Sequence, residues 1–337
     1  MVAAHHRFLI IGCGSIGRRH IRNLIALDAR DIIVYDINQE RLSDVAKEYN
    51  VKKYNSIDDA LSQKPDVAFI CTPTSLHITP ALSVAKSSCH LFIEKPLSNS
   101  IEGVDELIKI VDKKQLVSLV GCNMRFHPCL VIVKELLDKK NIGRVICARV
   151  QAGQYLPDCH PWEDYRQGYS ARQDLGGGII LDGIHEIDYI TWFLGEVKQV
   201  FCFSGKLSSL EIDTEDTAEI LLRFREGAIA EVHLDYIQRT YSRSCQIIGE
   251  EGTILWDFND KKVSLYNAES GKWQIFYQKP NYDINEMYIE EMKHFILCID
   301  GKNRTVQDIK SAKKVMDIAL ASKRASQEET VISMEDS

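Results

Sequence analysis

Short apolar runs recur through the first third of the chain, each followed by a stretch of helical periodicity. Arg7–Ile11, Asp31–Tyr35, Val67–Cys71, His90–Ile93 and Val117–Gly121 read as strands. Gly17–Leu27, Glu40–Tyr49, Ile78–Ser87 and Ile101–Lys113 read as the helices between them. Continuously apolar strands separated by helices predict a parallel sheet covered on both faces, hence a doubly wound α/β domain. After Met124 the rhythm changes. A helix over Pro128–Asp138 precedes longer strands of alternating pattern: Arg144–Tyr155, Val197–Lys206, Thr217–Arg225, Ala228–Tyr236, Ser244–Ile248, Thr253–Asp257, Lys262–Asn267 and Trp273–Gln278. Strand following strand, with turn pairs such as Glu226-Gly227 and Glu251-Gly252, predicts an open, mostly antiparallel sheet with one covered face. A polar and aromatic loop with a helix occupies Pro157–Leu194, and helices over Ile284–Ile299 and Val306–Ser326 close the chain before a frayed tail from Gln327. The expected fold is therefore α/β plus α+β, with one domain over residues 1–124 and a second, flanked by helices, over 125–337.

Composition narrows the class of protein. The 337 residues carry 41 Lys and Arg against 48 Asp and Glu, a net charge of −7. That balance, with no basic block, argues against a nucleic-acid or anionic-membrane partner. The apolar stretch Phe8–Ile11 is far shorter than the ~20 residues of a membrane span, and it runs straight into a glycine motif rather than a cleavage site. A soluble, cytoplasmic protein is expected. The ten cysteines (Cys13, Cys71, Cys89, Cys122, Cys129, Cys147, Cys159, Cys202, Cys245 and Cys298) show no C-x-x-C spacing and several sit in apolar runs. They read as reduced core residues, and no metal site is expected.

Gly12-Cys13-Gly14-Ser15-Ile16-Gly17 matches G-x-G-x-x-G after a strand and before a helix, and Asp36 ends the next strand 19 positions beyond Gly17. That context makes the motif a dinucleotide (Rossmann) fingerprint. Gly12 permits the tight turn, Gly14 lets backbone approach a pyrophosphate, Gly17 permits close helix packing, and amides at Ser15, Ile16 and Gly17 face the phosphates. Asp36 accepts ribose hydroxyls and repels a 2′-phosphate, so NAD is expected over NADP; Arg41 reads as a solvated helix residue. Two further segments fall at the same carboxyl edge of the sheet. They are Cys71–His77, offering Thr72, Pro73 and His77, and Glu94-Lys95-Pro96-Leu97, offering Glu94 and Lys95. Asn123 and Arg125 follow the fifth strand and are expected to line a cleft, Arg125 with an ion pair as its alternative.

With Leu175–Tyr189 added, containing GGGIILDGIHEID, the sequence resembles the Gfo/Idh/MocA oxidoreductase family over nearly its whole length. The motifs are GCGSIG, CTPTSLH, EKPL, Asn123-Met124-Arg125-Phe126-His127-Pro128 and the glycine-rich stretch, in that order. The resemblance implies that Lys95 contacts substrate and nicotinamide ribose, that His185 accepts the substrate proton, and that Asp182 assists it. Asp182 and His185 are three apart here, against the four usual in that family. Asp188 is a further candidate, read chiefly as structural. The chemistry agrees: alcohol oxidation needs a base titrating near neutral pH, and a lysine beside it stabilises a developing alkoxide.

Tyr155–Arg166 interleaves aromatic and polar residues, which suits a sugar, with Trp162 and Arg166 as first choices. The expected activity is NAD-dependent oxidation of a sugar, cyclitol or sugar derivative, including nucleotide-linked sugars of surface-glycan pathways. The alternatives are an epimerase or eliminase that retains NAD, and a non-catalytic sensor on the same fold. The open sheet is expected to support a homodimer or homotetramer.

Overall fold

The computed structural model describes residues 5–159 and 161–334, which group into two compact units. The first unit contains residues 5–122 and Tyr288–Lys313. Its strands are β1 (Arg7–Ile11), β2 (Asp31–Tyr35), β3 (Lys52–Lys53), β4 (Val67–Ile70), β5 (His90–Ile93) and β6 (Ser118–Val120). Its helices are α1 (Ser15–Ala26), α2 (Gln39–Tyr49), α3 (Ile57–Ser62), α4 (Ile78–Lys86) and α5 (Val104–Lys114). The strands form one sheet in the order β3-β2-β1-β4-β5-β6, every neighbouring pair parallel. Burial on both faces explains the unbroken apolar runs, since Val67, Ala68, Phe69 and Ile70 are all fully buried.

Two small elements, β3 and α3, are absent from the sequence reading, although Ser56, the N-cap of α3, and Asp58 and Asp59 in its first turn are a helix-start signal. β3 is two exposed lysines at the sheet edge, paired with Ile33 and Val34 through backbone alone. A side-chain pattern cannot report such a strand. The segment 288–313 also belongs to this unit: Met292, Phe295 and Ile296 enter its core, and Val120 N–H donates to Gln307 O. The sequence reading placed one boundary after Met124, whereas the chain leaves the first unit after Cys122 and returns to it at Tyr288.

The second unit contains residues 123–287 and 314–334. It begins with α6 (Pro128–Asp138) and β7 (Val145–Gly153), and continues through α7 (Leu156–Cys159), α8 (Ile179–Asp182) and α9 (Ile184–Leu194). β8 (Val197–Gly205), β9 (Thr217–Phe224), β10 (Ile229–Asp235), β11 (Ser242–Gly249), β12 (Gly252–Asp257), β13 (Lys262–Asn267) and β14 (Lys272–Gln278) follow. Helices α10 (Asn285–Ile299) and α11 (Ile309–Glu328) each cross from one unit to the other, and β15 (Ile332–Ser333) ends the described chain. The nine-stranded sheet runs β14-β13-β12-β11-β7-β10-β9-β8-β15, antiparallel throughout except for the parallel pair β7–β10. Helix α6 packs on β12–β14 and α9 on β7 and β10. They cover the face that presents Val150, Ala230, Val232, Ile247, Ile254 and Trp256, all buried. The other face stays open and carries Phe203, Leu221, Ile229, Trp273 and Ile275 exposed.

As far as Met334, the tail expected to fray from Gln327 is ordered instead. Helix α11 continues to Glu328, and Ile332, buried, pairs with Val200 of β8. A two-residue strand with a single apolar side chain has too little pattern to be seen in sequence. Among the described residues no helix is long and apolar enough to cross a membrane.

Candidate active site

In the first unit the glycine turn is built as the fingerprint requires. Gly12 sits at φ +94°, and a Cβ there would lie 2.6 Å from Cys71 O, so no side chain fits. A Cβ on Gly17 would collide with the carbonyl of Gly12, whereas one on Gly14 would meet nothing. The backbone at Gly14 is therefore open to close approach. Gly14 is the N-cap of α1 and the first turn carries no acidic residue, so the amides of Ser15, Ile16 and Gly17 form an anion-binding end. Asp36 is buried and aimed by the loop: Cys13 N–H donates to Oδ2 and Asn38 N–H to Oδ1, each at 2.7 Å. Arg41, read from sequence as solvated, has its guanidinium 3.5 Å from Asp36 Oδ2. Beside this carboxylate Ile37 is 86% exposed, an apolar surface that sequence reasoning passed over. Burial, then the Asp36 charge, pushes the Cys13 thiol up to about 12, so it stays protonated. An open glycine backbone, a helix end without acid and a fixed carboxylate together fit a dinucleotide with a free 2′-hydroxyl.

The two loops at the carboxyl edge are tied to each other. His77 is buried, with Nδ1 2.8 Å from Pro96 O and Nε2 2.9 Å from Thr72 O. Burial pushes its pKa down. His77, expected to touch cofactor, thus holds its own backbone. Thr72 Oγ1 donates to Leu76 O at 3.0 Å, and Pro73 leads a short turn over Thr74–Leu76. The Lys95–Pro96 peptide is cis. Glu94 Oε1 lies 2.6 Å from His20 Nε2, and Lys95 N–H reaches Glu94 Oε2 at 3.3 Å.

In the second unit the glycine-rich stretch supplies backbone that other residues rarely adopt, with Gly176 at φ +80° and Gly178 at φ +105°. It leads through α8 to Gly183 and into α9, where His185 is buried in the first turn. Asp182 accepts hydrogen bonds from the hydroxyls of Tyr169, Ser170 (2.8 Å) and Tyr236 (3.0 Å). Burial and the nearby Asp182 charge push the Tyr236 phenol well up, which keeps it a donor. Asp182 therefore anchors the 169–170 turn to the end of β10. Further along α9, Asp188 is fully buried and takes a two-pronged bond from Arg125 (2.9 and 2.8 Å). Glu186, equally buried, pairs with Arg243 at 2.8 Å. Sequence reasoning missed this second pair. Its signal was an arginine on the inward-facing alternation of β11, in step with Cys245 and Ile247.

Asn123 is buried, and its Oδ1 has no hydrogen-bond partner among the described residues. Such an atom costs free energy unless a ligand or water satisfies it. Trp162 is 73% exposed. Arg166 is half-exposed and forks onto Asp164 (2.8 and 2.9 Å) and Glu211 (2.9 Å). His160, in the same segment, lies outside the described residues.

Known proteins agree with this construction. Residues 6–122 match the model of the oxidoreductase family with an NAD-binding Rossmann fold, and residues 131–255 match the GFO/IDH/MocA C-terminal domain. The chain belongs to the Gfo/Idh/MocA family of oxidoreductases. It is 27% identical to a myo-inositol 2-dehydrogenase of Thermotoga maritima, over 98% of this chain and 99% of that one. It is 26% identical to a UDP-N-acetylglucosamine 3-dehydrogenase of Acidithiobacillus ferrooxidans, over 79% of each. The WlbA dehydrogenase of Bordetella pertussis, solved with NADH and UDP-GlcNAcA, superposes with a TM-score of 0.84 at 21% identity, over 98% of this chain and 99% of that one. That last likeness speaks for the fold.

Proposed function

We propose that this chain is an NAD-dependent dehydrogenase that oxidises a secondary hydroxyl of a sugar, cyclitol or sugar derivative. The observation that carries it is Asp36, buried and oriented by two loop amides at the edge of an acid-free helix end. NAD bound there supplies the hydride acceptor. In this reading His185 takes the hydroxyl proton and Lys95 stabilises the oxygen as negative charge develops on it. Gly12, Gly14, Ser15, Ile16 and Gly17 hold the cofactor with Asp36, Thr72, Pro73, Glu94 and Asn123, while His77 and Asp182 keep their loops in place. Arg125, Trp162 and Arg166 address the sugar, both arginines being oriented by carboxylates. Inositols and nucleotide sugars lead the candidate substrates, because the relatives named above carry those activities.

NADH appearance during a screen of cyclitols, aldoses and nucleotide sugars tests this reading. Lys95→Ala and His185→Ala are each expected to lower turnover about 10²–10⁴-fold; retained turnover in both ends it. Exchange of added NAD in each cycle separates dehydrogenation from cofactor-retaining epimerisation. We further propose a homodimer or homotetramer through the open sheet face, where Phe203 and Ile275 are 64% and 61% exposed. A monomer at micromolar concentration in light scattering removes that part. Ten free cysteines suit a reducing compartment, and we assign the activity to the cytoplasm.

A further inference from the structure

We infer that His20 is a positioning residue for Lys95, acting through Glu94. His20 lies midway along α1, the helix whose N-terminus follows the glycine loop, and it is fully buried. Its ring sits 5.1 Å from that of Phe69 and 5.0 Å from that of Phe92, and Phe295 packs edge-on against both phenylalanines. A polar ring in that setting needs a partner. The partner is Glu94 Oε1 at 2.6 Å, and Nδ1 has none among the described residues, so the proton belongs on Nε2. The second oxygen of Glu94 meets the backbone N–H of Lys95 at 3.3 Å. Gly121 makes room for it, since a Cβ there would lie 3.3 Å from Glu94 Oε2 and 3.2 Å from the Phe92 ring. On the other side of the lysine, Pro96 O is held by His77. Both sequence neighbours of Lys95 are thus tied to buried imidazoles.

Stability alone does not account for the pair. Two apolar side chains would suit the surroundings of Phe69, Phe92 and Phe295 at least as well, because desolvating a carboxylate and an imidazole consumes most of what their contact returns. What the pair adds is a fixed direction for Glu94, and with it the backbone from which Lys95 projects. It also makes one helix carry both the phosphate-binding amides and the anchor of the lysine. The importance of Lys95 for turnover rests on the dehydrogenase reading above; its being held by His20 does not.

The test compares His20→Leu, which removes the donor, with His20→Gln, which keeps one near the position of Nε2, in the full chain saturated with NADH. Lys95 is followed by NMR after reductive ¹³C-methylation, its signal identified by loss in Lys95→Arg. We expect His20→Leu to shift that signal and its titration midpoint, with NADH affinity within about twofold, and His20→Gln to resemble the parent. In a turnover assay with a substrate from the screen, His20→Leu lowers kcat about 10–100-fold with little change in KM for NAD, as misplacement of a reacting group does, and His20→Gln recovers most of it. An unshifted Lys95 signal in His20→Leu, equal behaviour of the two variants, or a tenfold loss of NADH affinity overturns the inference. If His20→Leu does not fold, Glu94→Gln weakens the same bond at constant shape and is read by the Lys95 signal alone, an unshifted signal overturning the inference. A shifted signal in a protein that turns over no substrate of the screen leaves this inference standing and removes the dehydrogenase reading.

Discussion

Strand β4 of the six-stranded sheet buries Val67, Ala68, Phe69 and Ile70 alike, whereas β9 of the nine-stranded sheet buries Ala218, Ile220, Leu222 and Phe224 and exposes residues between them. The first sheet has helices on both faces and spends its side chains on packing, so chemistry moves to the loops at its carboxyl edge. The second sheet has one face free. Its covered face brings α9 down with His185 and two buried arginine–carboxylate pairs, and its open face remains available for association. In the proposed reading, backbone amides and a fixed carboxylate do the recognition in one unit, and side chains held by ion pairs do it in the other.

The sharpest way to break this contrast is to truncate an aromatic residue in each sheet. Phe92→Ala is expected to cost about 3–5 kcal/mol of unfolding free energy, as for other buried phenylalanines. Phe203→Ala, on the open face, should cost the monomer less than about 0.5 kcal/mol while weakening assembly. Chemical denaturation together with light scattering reads both. An equal cost would mean that the open face is packed within the subunit.

The ion pairs come next. Arg125→Met strands the buried Asp188 carboxylate and should destabilise by about 3 kcal/mol. Arg166→Ala removes a surface fork and should change stability by less than about 1 kcal/mol, so any larger effect on turnover reports a role with substrate. Asp36→Ser is smaller again for stability but moves cofactor choice. KM for NAD should rise about tenfold, the worth of one charge-assisted hydrogen bond. KM for NADP should fall as Arg41, 3.5 Å away, is freed to meet a 2′-phosphate.

The smallest effect is a pH dependence on the open face. Hydrogen bonds to Asp235 and then Glu219 raise the His233 pKa to about 9. A histidine raised in the folded state from about 6.5 stabilises fully below that pH and loses its contribution as pH rises through about 9. The melting temperature should therefore fall between those values, less steeply in His233→Gln, and solvent screening keeps the slope shallow.

Much of this was legible beforehand because it is local. Apolar runs announced five of the six parallel strands, alternation announced β7–β14, and the glycine turn with Asp36 announced the cofactor end. β3 and β15 escaped because two residues hold no period, and the parallel pairing of β7 with β10 because it joins residues some eighty positions apart. The candidate site divided in the same way. Residue types at motif positions could be named, but their partners could not: Asp182 is held by Tyr169, Ser170 and Tyr236, Arg125 by Asp188, and Arg243 by Glu186.

By itself, then, the amino-acid order determined which segments become strands and helices and which turns are open to a phosphate, since these depend on side-chain periodicity and on glycines at particular steps. Only the tertiary structure decided which polar groups meet. His20 reaches Glu94 across 74 positions, and His77 reaches Pro96 across 19. Such contacts exist because the parallel sheet delivers separate loops to one edge and buries them there, where an unpaired polar group is too costly to keep.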